Sequence, residues 1–286
     1  EGEEAKERAK YLSTRYQGKF GRMMITYHVD MPGETIGKHS NEAFAAKTGK
    51  KILVDEKSIP MENVVITTAD ADAVFNPQYF SLLTYKYLVV EKPFNSFFQA
   101  PLFMHNNIDR VPLMVRITSI VGGVFFLSLM QKYSKRFMNF STYSLSLSLL
   151  DRVGSLDLDV IPEDSRLYFK SYFALSGDIS VVPLYVPVSI DAAESTSRWK
   201  TYQNSYRQNK RWAWGVVDVP YVVKNFFAHP EIPFFDKLIK ISLAIEWHFV
   251  WSSYWFLLFL GGTAPTFINP SFARTSLTYR ELLAEF

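Results

Sequence analysis

The sequence of 286 residues contains no cysteine, which excludes disulfide frameworks, thiolate metal sites and cysteine nucleophiles. A Gly-x-Ser-x-Gly nucleophile elbow and a P-loop are also missing, so nothing in the sequence supports a serine hydrolase or an ATPase. The 31 basic and 28 acidic residues give a net charge of +3. This excess of basic residues is smaller than is typical of nucleic-acid binders. The histidines show no metal-ligand spacing and are interpreted as structural or surface residues: His28, His39, His105, His229 and His248.

A short β-branched run from Val64 to Ala69 ends in two acids, Asp70 and Asp72. Its apolar residues do not alternate with polar ones, a pattern that is typical of a buried parallel strand. Open α/β sheets bind their ligands at the carboxyl ends of such strands, where two carboxylates can hold a hard divalent cation and, through it, a pyrophosphate. Because Asp-x-Asp is a short motif, the same residues also fit a solvated turn.

The order of the predicted elements indicates a parallel α/β sheet. They are a helix over residues 3–16, a strand from Arg22 to Val29, a turn at Pro32-Gly33, a helix from Gly37 to about Lys47, a strand over 64–69 and a helix near Pro77 to Val90. The segments Phe94–Met104 and Ile117–Ile120 are strand or helix candidates that the pattern does not decide between.

Two apolar stretches are long enough to cross a bilayer, Val111–Met130 and Leu238–Leu260. The second carries three polar side chains that must face protein or a polar cavity: Lys240, Glu246 and His248. Its part from Phe249 onward has no charge, and its tryptophans and tyrosine suit membrane interfaces. We therefore predict a transmembrane helix over 238–260, with an amphipathic helix lying on the membrane surface as the alternative.

Two further motifs follow the acidic pair. Glu163 and Asp164 stand at the start of an amphipathic helix, where an acid also serves as an ordinary cap. Gln208, Arg211 and Trp212 share one face of a helix inside a basic, aromatic segment. An arginine that grips phosphate and an indole that stacks on a sugar would form a clamp, whereas a basic surface helix would lie against anionic lipid.

Taken in order, these motifs resemble the membrane-bound family 2 glycosyltransferases, which include cellulose and hyaluronan synthases. The matching residues are Asp70-Ala71-Asp72, Glu163-Asp164, and Gln208 with Arg211 and Trp212, followed by the membrane helix. Weaker agreements are Gly37-Lys38 with Asn41, Gln99-Ala100-Pro101, and the run from Ser141 to Ser146 before Gly154.

The resemblance implies an α/β fold of the GT-A (Rossmann-like) type and inverting transfer of a hexosyl group from a nucleotide-sugar donor to a glycan or lipid acceptor. Asp70 and Asp72 would bind the donor and its Mg²⁺ or Mn²⁺, and Lys38, Gln208 and Arg211 would hold the diphosphate. Asp164 would be the general base, with Glu163 beside it on the acceptor side, and Trp212 would line the acceptor site. Membrane lipids are the other expected partner, and no nucleic acid is expected.

The resemblance also divides the chain into a GT-A catalytic domain over residues 1–190, an amphipathic interface segment with the Gln-x-x-Arg-Trp motif over 191–235, and a transmembrane region over 236–286. The family has an earlier strand and acidic positions for the nucleotide base, upstream of the helix that opens this sequence, so we expect a fragment of a multi-pass protein. One crossing at Val111–Met130 would put Asp72 and Asp164 on opposite sides of the bilayer, so that stretch should be buried or rest on the membrane. The basic segment from Arg198 to Lys224 suits a cytoplasmic location, where we expect the catalytic domain.

Three functions remain open at this point. A polymerising transferase is favoured because the Gln-x-x-Arg-Trp motif lies next to a membrane helix. Transfer of a single sugar to a lipid acceptor is the alternative within the same chemistry. A non-catalytic membrane scaffold with a degenerate donor site is the alternative from another class.

Overall fold

The computed structural model describes residues 2–29, 31–35, 37–132, 137–269 and 271–272. The chain divides into two compact units, Glu1–Trp212 and Ala213–Phe286, which we describe separately.

The first unit combines helices with short strands. Its helices are α1 (Gly2–Arg15), α2 (Lys38–Lys50), α3 (Tyr79–Val89), α4 (Leu113–Lys132), α5 (Leu147–Arg152), α6 (Glu163–Ala174) and α7 (Arg198–Ala213), and α2 continues as a π-helix over Lys51–Glu56. Its strands are β1 (Val65–Thr67), β2 (Val74–Phe75), β3 (Ser96–Gln99), β4 (Leu102–Met104), β5 (Tyr143–Ser146), β6 (Ser180–Pro183) and β7 (Val188–Ile190). The predicted helices near 3–16, 37–47 and 77–90 are confirmed.

The strands form two sheets, with the orders β1-β5-β3-β6 and β2-β7-β4. Strands β3 and β6 are parallel, as are β4 and β7, whereas β5 runs antiparallel to both of its neighbours and β2 runs antiparallel to β7. The expectation of a parallel sheet is therefore wrong, and the sheets are mixed. The α/β architecture is consistent with a GT-A-like domain.

Two strand predictions need correction. β1 pairs antiparallel with β5 and is half-buried. The prediction of a buried parallel strand is wrong because an apolar run does not reveal the direction of the neighbouring strand. The segment 22–29 has no regular secondary structure in the structure. Its β-branched and aromatic residues favour extension, but a strand also needs a partner to share its backbone hydrogen bonds.

The core of the first unit lies around β3, all four of whose residues are buried. Phe98 packs in one cluster with Tyr79 and Leu83 of α3. Gln99 at the end of β3 is fully buried, and its side chain donates to the carbonyl oxygens of Ala100 and Thr142 at 2.9 Å. This buried amide holds the chain that enters β5 against β3.

Helix α4 covers the undecided segment at 117–120. Its stretch Leu113–Gln131 has a mean hydropathy of 1.9, and within the described part of the chain it is the one helix long and apolar enough to cross a membrane. Only 22% of that stretch is buried, so of the two alternatives, a buried helix or one that rests on the membrane, the burial does not support the first. Gly123 lies against Phe103 of β4, whereas Ile120 and Val124 are exposed.

The second unit consists of a 3₁₀ turn (Trp214–Val217) followed by α8 (Asp218–Ala228) and α9 (Phe234–Ile268). With 35 residues, α9 has a length of about 52 Å, and it contains the whole predicted helix over 238–260. Lys237 is buried and donates to the carbonyl oxygens of Phe226 and His229 at 2.7 Å, which ties the end of α8 to the start of α9. Lys240 is buried and His248 lies against Gly215, while Glu246 is exposed.

Candidate active site

Lys38 and Asp70 form the first part of the site. Lys38 begins α2, and its Nζ lies 2.8 Å from Asp70 Oδ1, just beyond the end of β1. The same ammonium group donates to the carbonyl oxygen of Ser141 at 3.0 Å and lies 3.5 Å from Glu42 Oε1. The lysine and the first acid of the Asp-x-Asp motif therefore form one ion pair, although 32 positions in the chain separate them.

Ser141 connects this ion pair to Asp164. Its Oγ donates to Asp70 Oδ2 at 2.5 Å, and its backbone N–H donates to Asp164 Oδ2 at 2.7 Å. Ser141 has a φ of 52°, in the left-handed region that non-glycine residues rarely adopt. Gln99 accepts the N–H of Phe140 and donates to Thr142, so it fixes the residues on both sides of Ser141.

Asp164 lies in the first turn of α6, as expected for an acid that starts a helix. Its Oδ1 accepts the backbone N–H of Ser165 at 2.7 Å, and its carbonyl oxygen accepts Nδ2 of the buried Asn139 at 3.1 Å. The carboxylate is therefore fixed at both oxygens, and it lies in the same cluster as Asp70.

Charge and burial compete at Lys38 and Asp70. Burial raises the pKa of Asp70, but hydrogen bonds from Lys38 and Ser141 and the positive charges of Lys38 and Arg211 outweigh it, so the pKa is lowered overall. Burial lowers the pKa of Lys38, but Glu42 and Asp70 together raise it above its ordinary value. Both groups are therefore held in their charged forms.

Two other carboxylates of the cluster are shifted the other way. Burial, with further contributions from Asp70 and Asp164, raises the pKa of Glu42 to about 7 even though Lys38 opposes the shift. Burial and the neighbouring Asp164 likewise raise the pKa of Glu163. The cluster holds more acids than its single lysine neutralises, and a protonated Glu42 or Glu163 lowers the repulsion between them.

Asp72 has a different environment from Asp70. It is exposed, its Oδ2 accepts the N–H of Asp191 at 2.9 Å, and its carbonyl oxygen accepts Asn106 Nδ2 at 3.1 Å. In the described part of the chain, no three His, Asp or Glu side chains are grouped closely enough to hold a metal ion. An accessible carboxylate still fits Mg²⁺ chemistry, because Mg²⁺ is usually bound by one or two carboxylates, several waters and the phosphates of its substrate.

The Gln-x-x-Arg-Trp motif lies in the last two turns of α7. Arg211 is exposed, and it lies near enough to Asp70 for its charge to help lower the pKa of that acid. Gln208 is half-buried, and Trp212 is 37% exposed. The structure therefore brings Lys38, Asp70, Glu163, Asp164 and Arg211 into one electrostatic cluster, with Asp72 two residues along the chain from Asp70.

Sequence reasoning did not assign site roles to Ser141 and Glu42. Glu42 follows Lys38 by one helical turn, a spacing that can signal an ion pair on a helix surface. Ser141 stood in the sequence only as part of a serine-rich run. Its contacts to Asp70 and Asp164 bridge 71 and 23 positions, so no local pattern could have identified them.

Comparison with known proteins identifies the family of the chain. The chain matches the family model described as Glycosyl transferase family group 2 over residues 65–279. That match includes β1, the Asp-x-Asp motif, α6 and the Gln-x-x-Arg-Trp motif. No curated protein matches the chain. Since the match covers most of the sequence, the chain belongs to glycosyl transferase family group 2.

Proposed function

We propose that the protein is an inverting hexosyltransferase that moves a sugar from a nucleotide-sugar donor to a growing polysaccharide at a membrane. Asp70, Asp72 and Lys38 bind the donor, Gln208 and Arg211 hold its diphosphate, and Asp164 is the general base. Glu163 and Trp212 line the acceptor side. Membership of the family supports glycosyl transfer in general, and the finer assignments rest on the site.

The observation that carries this proposal is the bridge through Ser141 between Asp70 and Asp164. An inverting displacement needs a donor-binding group and a base close to one reacting carbon, so that donor and acceptor meet in line. Two carboxylates that hydrogen-bond to one serine meet this requirement. A scaffold with a degenerate donor site would not need Lys38, Asp70 and Asp164 in one network.

The chemistry follows from the types of residue in the cluster. The oxygen of the acceptor hydroxyl attacks the anomeric carbon, its proton passes to Asp164, and the bond from that carbon to the nucleoside diphosphate breaks. Lys38 and Arg211 stabilise the negative charge that develops on the departing diphosphate. Asp70 and Asp72 would hold a divalent cation, Mg²⁺ or Mn²⁺, which would supply further positive charge next to the diphosphate.

A membrane location is part of the proposal. β3 precedes α4, while β5 and β6 follow it, and all three strands pair in one sheet, which supports an α4 that rests on the membrane without crossing it. Although α4 has the more apolar stretch, α9 has 35 residues and is long enough to span. Because its part from Phe249 to Leu260 carries no charge, we assign it the crossing over 238–260. This gives a catalytic domain over 1–190 on the cytoplasmic side, an interface segment over 191–235 and a transmembrane region over 236–286 in a multi-pass protein.

The test is a screen of radiolabelled nucleotide sugars on membranes that carry the complete protein, with Mn²⁺ or Mg²⁺ and with EDTA. We expect label in a polymeric product with one donor and a loss of signal in EDTA. A product with one added sugar per acceptor would indicate single-sugar transfer to a lipid instead. Absence of both transfer and donor binding with every nucleotide sugar would favour the scaffold.

A further inference from the structure

Every polar group of Ser141 contacts a residue of the proposed site or its support. The hydroxyl donates to Asp70, the backbone N–H donates to Asp164, and the carbonyl oxygen accepts Lys38 Nζ at 3.0 Å and Thr68 Oγ1 at 3.3 Å. The other serines with positive φ in the described chain, Ser58, Ser155 and Ser176, each follow the end of a helix by two or three residues, and no hydrogen bond joins their side chains to these acids.

The left-handed backbone of Ser141 indicates that its side chain has a role of its own. A left-handed backbone costs a residue with a Cβ of order 1 kcal/mol or more, a cost that glycine does not have. If the position served only to turn the chain into β5, glycine would be the more stable choice. The structure instead places there a side chain whose hydroxyl lies 2.5 Å from Oδ2 of Asp70.

We propose that Ser141 is a positioning residue that links the donor carboxylate, Asp70, to the base, Asp164. The inference rests on the proposed function and deepens it. The hydroxyl fixes the rotamer of Asp70, and the backbone N–H of the same residue fixes Asp164. One residue therefore sets the distance between the two carboxylates. A nucleotide sugar that binds at Asp70 then also affects the position of Asp164.

Two substitutions separate the hydroxyl from the backbone. Ser141→Ala removes the hydroxyl and keeps the backbone strain, whereas Ser141→Gly removes both. The backbone contacts to Asp164 and Lys38 are retained in each variant. Ser176→Gly is the matched control, since Ser176 is exposed and has a φ of 49°.

We expect both Ser141 variants to raise the donor KM about tenfold, in line with the loss of one hydrogen bond to a charged group. The kcat at saturating donor should change by less than about twofold, because the backbone N–H that fixes Asp164 is retained in both variants. The melting temperature of Ser141→Gly should stay close to that of the wild type, because the relief of backbone strain offsets the lost hydrogen bond. Ser176→Gly should leave the kinetics unchanged.

Two different results would contradict the role of Ser141 and the proposed function. If Ser141→Gly matches the wild type in donor KM, the serine only turns the chain and the proposal fails. A wild type that neither binds nor transfers any nucleotide sugar would instead overturn the proposed function, so the two failures are distinguishable. A double-mutant cycle provides the second check. The effects of Ser141→Ala and Asp70→Asn on donor affinity should be non-additive, and additive effects would count against a link between Ser141 and Asp70.

Discussion

In the proposed mechanism, the transfer step depends on Asp164. Asp164→Asn keeps a side chain of the same shape but removes the base, so we expect kcat to fall about 10²- to 10⁴-fold. Donor affinity should change by less than about twofold, because Asp70, Lys38 and Arg211 provide the donor contacts in this assignment. Steady-state kinetics and binding of the nucleoside diphosphate without acceptor measure the two effects.

Asp159→Asn is the control for that substitution, since Asp159 is exposed and precedes α6 by only a few residues. It should leave both constants unchanged. If Asp164→Asn weakens donor binding as strongly as it slows transfer, Asp164 belongs to the donor site and another group is the base.

Glu42 makes the stability of the protein depend on pH. Its pKa is about 7 in the folded protein against an ordinary value of 4.5, so the folded state binds this proton more tightly than the unfolded state does. The stabilising contribution of the proton is fully present below pH 4.5 and is lost as the pH rises to about 7. The shift corresponds to at most about 3 kcal/mol.

Glu42→Gln removes this titration. We expect the variant to gain thermal stability relative to the wild type as the pH is raised from 5 to 8, in melting curves recorded without donor. Glu56→Gln, at an exposed position, is the control and should run parallel to the wild type. A constant difference between Glu42→Gln and wild type across this range would show that Glu42 does not hold a proton in the folded protein.

At the scale of single residues, sequence reasoning found the acids but not the group that joins them. Asp70 and Asp164 stand in short motifs whose residue types suggest their chemistry. The left-handed backbone of Ser141, held by the buried Gln99, arises from tertiary contacts between β3 and the chain that enters β5. Such contacts leave no trace in spacing or composition.

At the scale of the elements, the two adjacent glycines of α4 give a matched pair. A Cβ on Gly123 would lie 2.6 Å from Phe103 Cδ1, whereas a Cβ on Gly122 would meet nothing within 4 Å. Gly122→Ala should therefore raise the melting temperature, since alanine stabilises a helix interior by about 0.5–1 kcal/mol relative to glycine. Gly123→Ala should lower the melting temperature, because the ring of Phe103 must move and overpacking costs about 1–3 kcal/mol.

Thermal melts of the two variants under the same conditions check this prediction, and each is the control for the other. Equal stabilisation by both substitutions would mean that α4 does not pack closely on β4. That result would leave the active-site assignments untouched, since neither glycine lies near Asp70 or Asp164 in the chain.

The same scale shows why helices were predicted more successfully than strands. The helix periodicity near 3–16 and 77–90 is local, and the structure confirms both elements. Strand direction depends on distant partners, and β1 was wrongly expected to be parallel because its run of valine and isoleucine does not reveal β5. The apolar composition of Val111–Met130 leaves open whether this stretch is buried or rests on the membrane, since composition does not show which neighbours cover a helix.

At the scale of the whole molecule, the sheets constrain how the chain can meet a membrane. β3 and β5 exchange backbone hydrogen bonds, and α4 lies between them in the chain. If α4 crossed the bilayer, paired strands would lie on opposite sides of it. The exposed apolar face of α4 can therefore contact lipid only from the side that holds the sheet, with no acid between Asp109 and Asp151 to oppose an anionic surface.

This topology can be tested without background labelling, because the chain has no cysteine. Glu91→Cys and Asp159→Cys place single thiols at exposed positions before and after α4, and Ser276→Cys places one beyond α9. In sealed, oriented vesicles, a membrane-impermeant maleimide should label positions 91 and 159 from the same side, since one sheet joins the segments that carry them. Position 276 should be labelled from the opposite side if α9 crosses the membrane over 238–260. Labelling of 91 and 159 from opposite sides would contradict the pairing of β3 with β5, whereas labelling of all three from one side would leave the sheet intact and turn α9 into a surface helix.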